Sequence, residues 1–197
     1  MLDVTLLTYS LALLSGVLVG SISFPLVMSG SVMFGLTLLH SILGGALLGV
    51  FLNTVLGLPI PIQFSATLTS IFFSILTAEL IQKGLSEDTA TAFSVASATT
   101  LTIISSYYAS SVSSTALAEA WSYVMGSSSI ATIDDLFMVF LAILIVAPLT
   151  SIILREIRYI SFDEDGAKAM GINIRLYRYT FYSLVAIAAA TLSSTIG

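Results

Sequence analysis

The sequence predicts an all-α, polytopic transmembrane bundle of six spans, with a short cytoplasmic helix between the fifth and the sixth. Three observations carry this prediction. Hydrophobic residues make up 57% of the chain and charged residues only 9%, with a mean hydropathy of +1.05, whereas a soluble domain carries about 25% charged residues. The apolar residues fall into runs near the ~20 residues that cross a hydrocarbon core as a helix. Five of the six basic residues are gathered in one interval, which gives the runs an orientation.

The six segments are Thr5–Met28, Met33–Leu56, Gln63–Ile81, Ala90–Tyr108, Leu136–Leu154 and Tyr179–Ile196. Gly57, Pro59 and Pro61 break the chain between the second and third, and Lys83, Gly84, Glu87 and Asp88 separate the third from the fourth. Pro25 and Pro148 lie inside the first and fifth, where a proline removes a backbone donor and bends a helix. No internal repeat is evident, so residues 1–197 read as one transmembrane domain. Met1, Leu2 and Asp3 lack the positive leader of a secretory signal, so the first segment is expected to be a retained helix.

Arg155, Arg158, Lys168, Arg175 and Arg178 lie between the fifth and sixth segments, and positive-inside bias puts the Arg155–Arg178 interval in the cytoplasm. Alternation then places Lys83 inside as well. It leaves Ser110–Asp135, with Glu119, Asp134 and Asp135, outside, and the N-terminus outside too. Aromatic residues agree: Tyr107, Tyr108, Trp121 and Tyr123 would line the outer interface, and Tyr159, Tyr177, Tyr179 and Tyr182 the inner one. The protein is thus expected in the cell membrane, in contact with lipid.

Several functions are excluded. Without cysteine there are no disulfides, zinc–thiolate clusters or thiol chemistry. Six basic residues in a chain of net charge -5 cannot form a phosphate-binding stripe, so nucleic acid is not a partner. No G-x-x-x-x-G-K-[ST] sequence occurs, which removes the usual route to ATP binding. Within the bundle, Gly16-xxx-Gly20 and Gly45-xxx-Gly49 form small-residue ridges that allow close backbone approach. Ser65, Thr69, Ser94, Ser97 and Thr100 add small polar surface to the third and fourth segments.

The most informative stretch runs from Ser161 to Ile172. Ser161 followed by Glu164 has the spacing of a capping box. Asp163, Glu164 and Asp165 place negative charge in a first turn, where the helix dipole favours it, and Gly171 supplies a left-handed stop. A short charged helix follows, either a solvated connector or a docking element.

Phe162-Asp163, then Ala167, then Ala169-Met170-Gly171-Ile172, resembles the coupling segment of the metal-ion (zinc/manganese-type) ABC transporter permease family. Asp165, Gly166, Ala167 and Gly171 also stand at the spacing of the EAA-xxx-G loop of binding-protein-dependent permeases. Tyr123-Val124-Met125-Gly126-Ser127 is similar to the stretch before that family's fifth helix. Gly35 and the run Leu38–Gly49, with His40 and Gly45, resemble its second helix, so the likeness runs in order over nearly the whole chain. It implies a permease subunit of an ABC importer for divalent metal ions, working as a homodimer by alternating access. The short helix, through Phe162, Asp163, Asp165, Ala167 and Gly171, would dock on a separate ATPase subunit. ATP would be bound and hydrolysed only there, and an extracytoplasmic solute-binding protein would deliver the ion. The chain itself would be no enzyme and would hold no cofactor. Family members continue for two further spans, so the chain reads as shortened at its C-terminus.

His40 is the only histidine and lies inside the second segment, where an ionisable residue is a functional candidate. In the family an aspartate one turn earlier shares its face. Here that position is Leu36, with Leu39 and Gly44 at the family's serine and proline positions. Two readings stand: a metal contact completed by a second copy of the chain, with Met28 or Met33 as a soft ligand, or a neutral histidine bonded between helices. Glu79 and Lys83 have the order of a helical ion pair. A carrier or channel that needs no ATPase, and a truncated non-transporting remnant of a permease, are the competing functions.

Overall fold

The structure is a computed structural model describing residues 4–112, 115, 118, 120–122 and 132–196, and among these every regular element is helical. In chain order these are α1 (Val4–Met28), a single 3-10 turn (Ser31–Met33), α2 (Phe34–Leu56), α3 (Ile62–Gln82), α4 (Glu87–Val112), α5 (Ile133–Phe162), the short α6 (Glu164–Ala169) and α7 (Ile174–Thr195). The Tyr123–Ser127 stretch lies outside the described residues.

Four stretches are long and apolar enough to cross a membrane: Thr5–Met28, Ser31–Leu56, Ile62–Gln82 and Ile133–Phe162. Helices α4 and α7, of 26 and 22 residues, have the length. They fall short in apolarity, because α4 is rich in Ser and Thr and α7 begins with Arg175 and Arg178.

The helices outrun the apolar segments that predicted them. Helix α5 continues through Arg155 and Arg158, and α7 already contains Arg175 and Arg178, so the expected basic loop is mostly helix. Hydropathy marks only the apolar stretch of a helix, whereas backbone hydrogen bonding continues until a residue leaves helical geometry. The start of α5 shows this. Thr132 has extended backbone and accepts a bond from the Asp135 N–H at 3.2 Å, and Asp135 accepts from the Thr132 N–H at 3.0 Å. This reciprocal cap opens the helix three residues before the predicted Leu136.

Packing follows an up-and-down path in which α4 packs on α2, α2 on α3, α3 on α7, α7 on α5 and α5 on α1. One end of the bundle gathers the α1–α2 turn, the α3–α4 turn and α6, since Ser31 meets Glu87 at 2.7 Å and Arg175 meets Glu79 at 2.8 Å. At the other end Asn53 exchanges two 2.8 Å bonds with the backbone of Ile60, and Gln63 donates to Ser194 at 3.4 Å. The core is built from Leu18, Phe34, Leu47, Val139, Val146, Phe181 and Val185, all essentially sealed. Apolar side chains such as Tyr9, Leu13 and Ile152 cover the outside, the inverse of a water-facing surface.

The two glycine ridges part company. A methyl group on Gly45 would fall 2.7 Å from Thr69 Cβ and one on Gly49 2.9 Å from Ser65 Cβ, so α2 and α3 are in backbone contact there. A methyl group on Gly16 or Gly20 would meet nothing within 4 Å, so the expected close approach along α1 is not made among the described residues. Ser65, Thr69 and Ser94 are buried as expected, but Thr100 is exposed and its hydroxyl returns to the Ala96 carbonyl at 2.8 Å.

Candidate functional site

The short helix α6 is held at both ends by its own sequence. Its cap is Asp163, in extended backbone, whose Oδ1 accepts from the Gly166 N–H at 3.0 Å. The expected Ser161–Glu164 capping box is therefore corrected. Ser161 still belongs to α5 and its hydroxyl donates to the Ile157 carbonyl at 2.7 Å, which leaves Asp163 as the first residue free to cap. Gly166 fits this cap because a side chain there would crowd the Asp163 carboxylate, with Cγ 2.9 Å away. At the far end Gly171 takes φ +79, the Gly171 N–H donates to Lys168 O at 2.9 Å, and Ile172 N–H to Ala167 O at 3.1 Å. These are the two bonds of a Schellman stop, for which glycine is favoured because it has no Cβ to strain the left-handed turn.

The five residues singled out in this stretch do three different jobs. Ala167 is fully buried and packs with Ile160 and Ile174, which seats α6 on the ends of α5 and α7. Asp163 and Gly171 shape the backbone. Phe162, at 91% exposure, and Asp165, whose side chain is 96% exposed, face outward. Exposed Met170 adds to the same outer surface. An apolar ring, a thioether and a carboxylate are thus exposed on and beside this short capped helix.

Beneath α6 lies a cavity of about 280 Å³ whose wall includes Ser31, Glu87, Glu164, Arg178 and Tyr182. The Ser31 hydroxyl donates to Glu87 Oε1 at 2.7 Å and lies 2.8 Å from the Tyr182 hydroxyl, which in turn donates to Glu87 Oε1 at 3.2 Å. Glu164 receives Arg178 Nη2 at 3.0 Å and Lys168 Nζ at 3.1 Å on its two oxygens. Partial burial works against the Glu164 charge, but these two cations outweigh it and hold the carboxyl below its ordinary range. Tyr182, expected at the interface, is instead a core residue whose ring packs tilted at 59° against Phe34, with centroids 4.4 Å apart. Nearby, Glu79 pairs with Lys83 at 3.6 Å as expected, and also takes Arg175 at 2.8 Å and the Tyr179 hydroxyl from α7.

His40 stands on α2 among exposed Leu36 and Leu39. Its Nδ1 lies 2.9 Å from the Leu36 carbonyl. A carbonyl only accepts, so Nδ1 is the donor in this bond, which leaves Nε2 outside it. The bond is made within the helix, not between helices, which corrects that part of the expectation. No group of three or more His, Cys, Asp or Glu side chains able to hold a metal exists among the described residues. Among the described residues His40 therefore belongs to no such group.

Sequence reasoning missed the polar cavity. Ser31, Glu87 and the Arg178–Tyr182 pair lie far apart along the chain, and the one available signal was that these charged or hydroxyl residues fall at the same predicted end. A polytopic helical membrane protein with a capped helix held between two of its long helices is the class these features define. The ABC 3 transport family matches residues 1–197, and the chain belongs to that family. Among solved structures it is similar to PsaBC from Streptococcus pneumoniae in complex with Fab, with a TM-score of 0.69 and 23% identity over 95% of this chain and 64% of that one. This shows a shared fold. The chain thus spans less than two thirds of that neighbour. No curated protein matches the chain.

Proposed function

We propose that this chain is the transmembrane permease subunit of an ABC importer that carries divalent metal ions by alternating access. The observation that carries the proposal is α6, a rigid capped helix seated by Ala167 and presenting Phe162 and Asp165 outward, in a member of a transport family. In this reading α4 and α7 also span the membrane, giving six spans, since their buried hydroxyls Thr91, Ser94, Thr191 and Thr195 face neighbouring helices and not lipid. The end bearing α6 faces the cytoplasm and the N-terminus lies outside, a reading supported by the positive-inside bias of the basic residues. A separate ATPase subunit docks on α6 and supplies all nucleotide chemistry. A solute-binding protein delivers the ion on the outer side, and two copies of the chain enclose the path.

His40 contributes Nε2 to the ion in this scheme. A transition metal takes several nitrogen, sulfur or oxygen ligands, so an isolated imidazole becomes a site only when a second copy brings its own. Copurification of an ATPase subunit with the full chain, lost when Phe162→Ala and Asp165→Ala are combined, is the expected result. Retention of the ATPase by that double variant would sink the docking role. Uptake of radiolabelled zinc or manganese should fall at least tenfold in His40→Ala if the histidine contacts the cargo. Unchanged uptake would remove it from the path.

A further inference from the structure

Four segments meet at the cavity under α6: the α1–α2 turn through Ser31, the start of α4 through Glu87, α7 through Arg178 and Tyr182, and α6 through Glu164. Their polar groups are joined in two sets. Ser31, Glu87 and Tyr182 form one, with oxygens 2.7 to 3.2 Å apart. Glu164 and Arg178 form the other, at 3.0 Å. Arg178 and Tyr182 are four residues apart, one turn along the same face of α7, so one stiff stretch of helix carries a member of each set. Among the described residues, Glu164–Arg178 is also the ion pair that joins α6 to one of the long helices, since Lys168 pairs only within α6.

The arginine is not fully used. Its side chain is 13% exposed, and Nη1 is buried without a hydrogen-bond partner. A guanidinium presents five donors in a fixed fork, and here one arm is engaged while the other is idle beside a cavity whose wall carries a second carboxylate, Glu87. Coupling between separated sites requires an element with two arrangements that each site biases. A half-engaged guanidinium, an adjoining cavity and a second acceptor supply the parts of such an element.

We propose that Arg178 is the positioning residue that conveys a displacement of α6 into the bundle, holding Glu164 in the arrangement seen and turning its idle arm toward Glu87 when α6 is pressed inward. The inference rests on α6 being the ATPase-docking element. It adds the residue through which docking is felt by α7, α4 and the α1–α2 turn.

The test uses the assembled transporter in liposomes, with ATPase and binding protein present and radiolabelled manganese and zinc as probes. Arg178→Gln should keep the ATPase bound and hydrolysing ATP, while uptake per ATP falls at least tenfold and stimulation of hydrolysis by the binding protein disappears. That second readout does not depend on the cargo. Glu164→Gln, at a more exposed residue, should give the same fall and serves if the arginine variant does not insert. Exchanging the charges, Glu164→Arg with Arg178→Glu, should restore at least a third of the coupling. Normal coupling in both single variants, loss of the ATPase from Arg178→Gln, or no recovery on exchange would each overturn the proposal. Failure of the unmodified chain to retain an ATPase is a separate result, which removes the docking reading and this inference with it.

Discussion

The chain carries the same small-residue motif twice, and the two copies meet opposite fates. On α2, Gly45 and Gly49 lie against Ser65, Ala66 and Thr69 so closely that a single added carbon would collide. On α1, Gly16 and Gly20 look onto open space. The motif confers a capacity for close approach; the facing helix decides whether it is used. Helix α3 meets the ridge with the small residues Ser65, Ala66 and Thr69, which is what lets the two backbones close.

This comparison is open to experiment, and the largest effect should come from the closed ridge. Gly45→Val is expected to destabilise the purified chain by about 3 kcal/mol or more, as overpacking does, visible as a large drop in melting temperature in detergent. Ala167→Leu overfills the small contact that seats α6 and should cost about 1–3 kcal/mol. Because that contact is peripheral, the loss should show as protease sensitivity between α5 and α7 with the bundle intact. Gly166→Ala disturbs the Asp163 cap and should cost about 1 kcal/mol, read as faster amide exchange in α6 alone.

The Glu164–Arg178 link should fade with acid. The folded pKa of Glu164 is depressed, so its contribution is complete above the ordinary glutamate value of about 4.3. It is lost as pH falls below that value through the depressed one. Melting temperature followed from neutral pH downward should therefore converge for wild type and Glu164→Gln only at the acid end. The smallest effect belongs to the open ridge. Gly16→Ala should be neutral or stabilising by about 0.5–1 kcal/mol, as for any helical glycine. A clear loss of stability that depends on protein concentration would instead place a second copy of the chain against α1.

Much of this was legible in the sequence. The left-handed stop at Gly171, the Gly45 ridge and the Glu79–Lys83 pair each follow from neighbours within one helix or turn, where spacing fixes geometry. The Asp163 cap escaped because two serine or aspartate candidates lay two residues apart, and only the last turn of α5 decides between them. Arg178, Tyr182, Glu87 and Ser31 escaped for another reason. Their meeting depends on how separate helices are brought side by side, and charge counts along the chain carry no such distances. His40 lies between these cases, since its helix was legible but its Leu36 hydrogen bond was not.

Helix α5 has a consequence of length. Its 30 residues from Ile133 to Phe162 form one continuous helix, about 45 Å at 1.5 Å per residue, against a hydrocarbon thickness of about 30 Å. Roughly one third of the rod must project beyond the hydrocarbon, less whatever tilt absorbs. Phe162 stands at the tip of that projection and α6 turns back from it toward α7. The short helix is thus carried out on a boom, within reach of a partner in water, while its return strap is anchored at the bundle. On the proposed docking of a partner at α6, a push on such a boom would act at the end of a lever, and a small shift of α6 would reach the membrane-embedded part of α5 as torque.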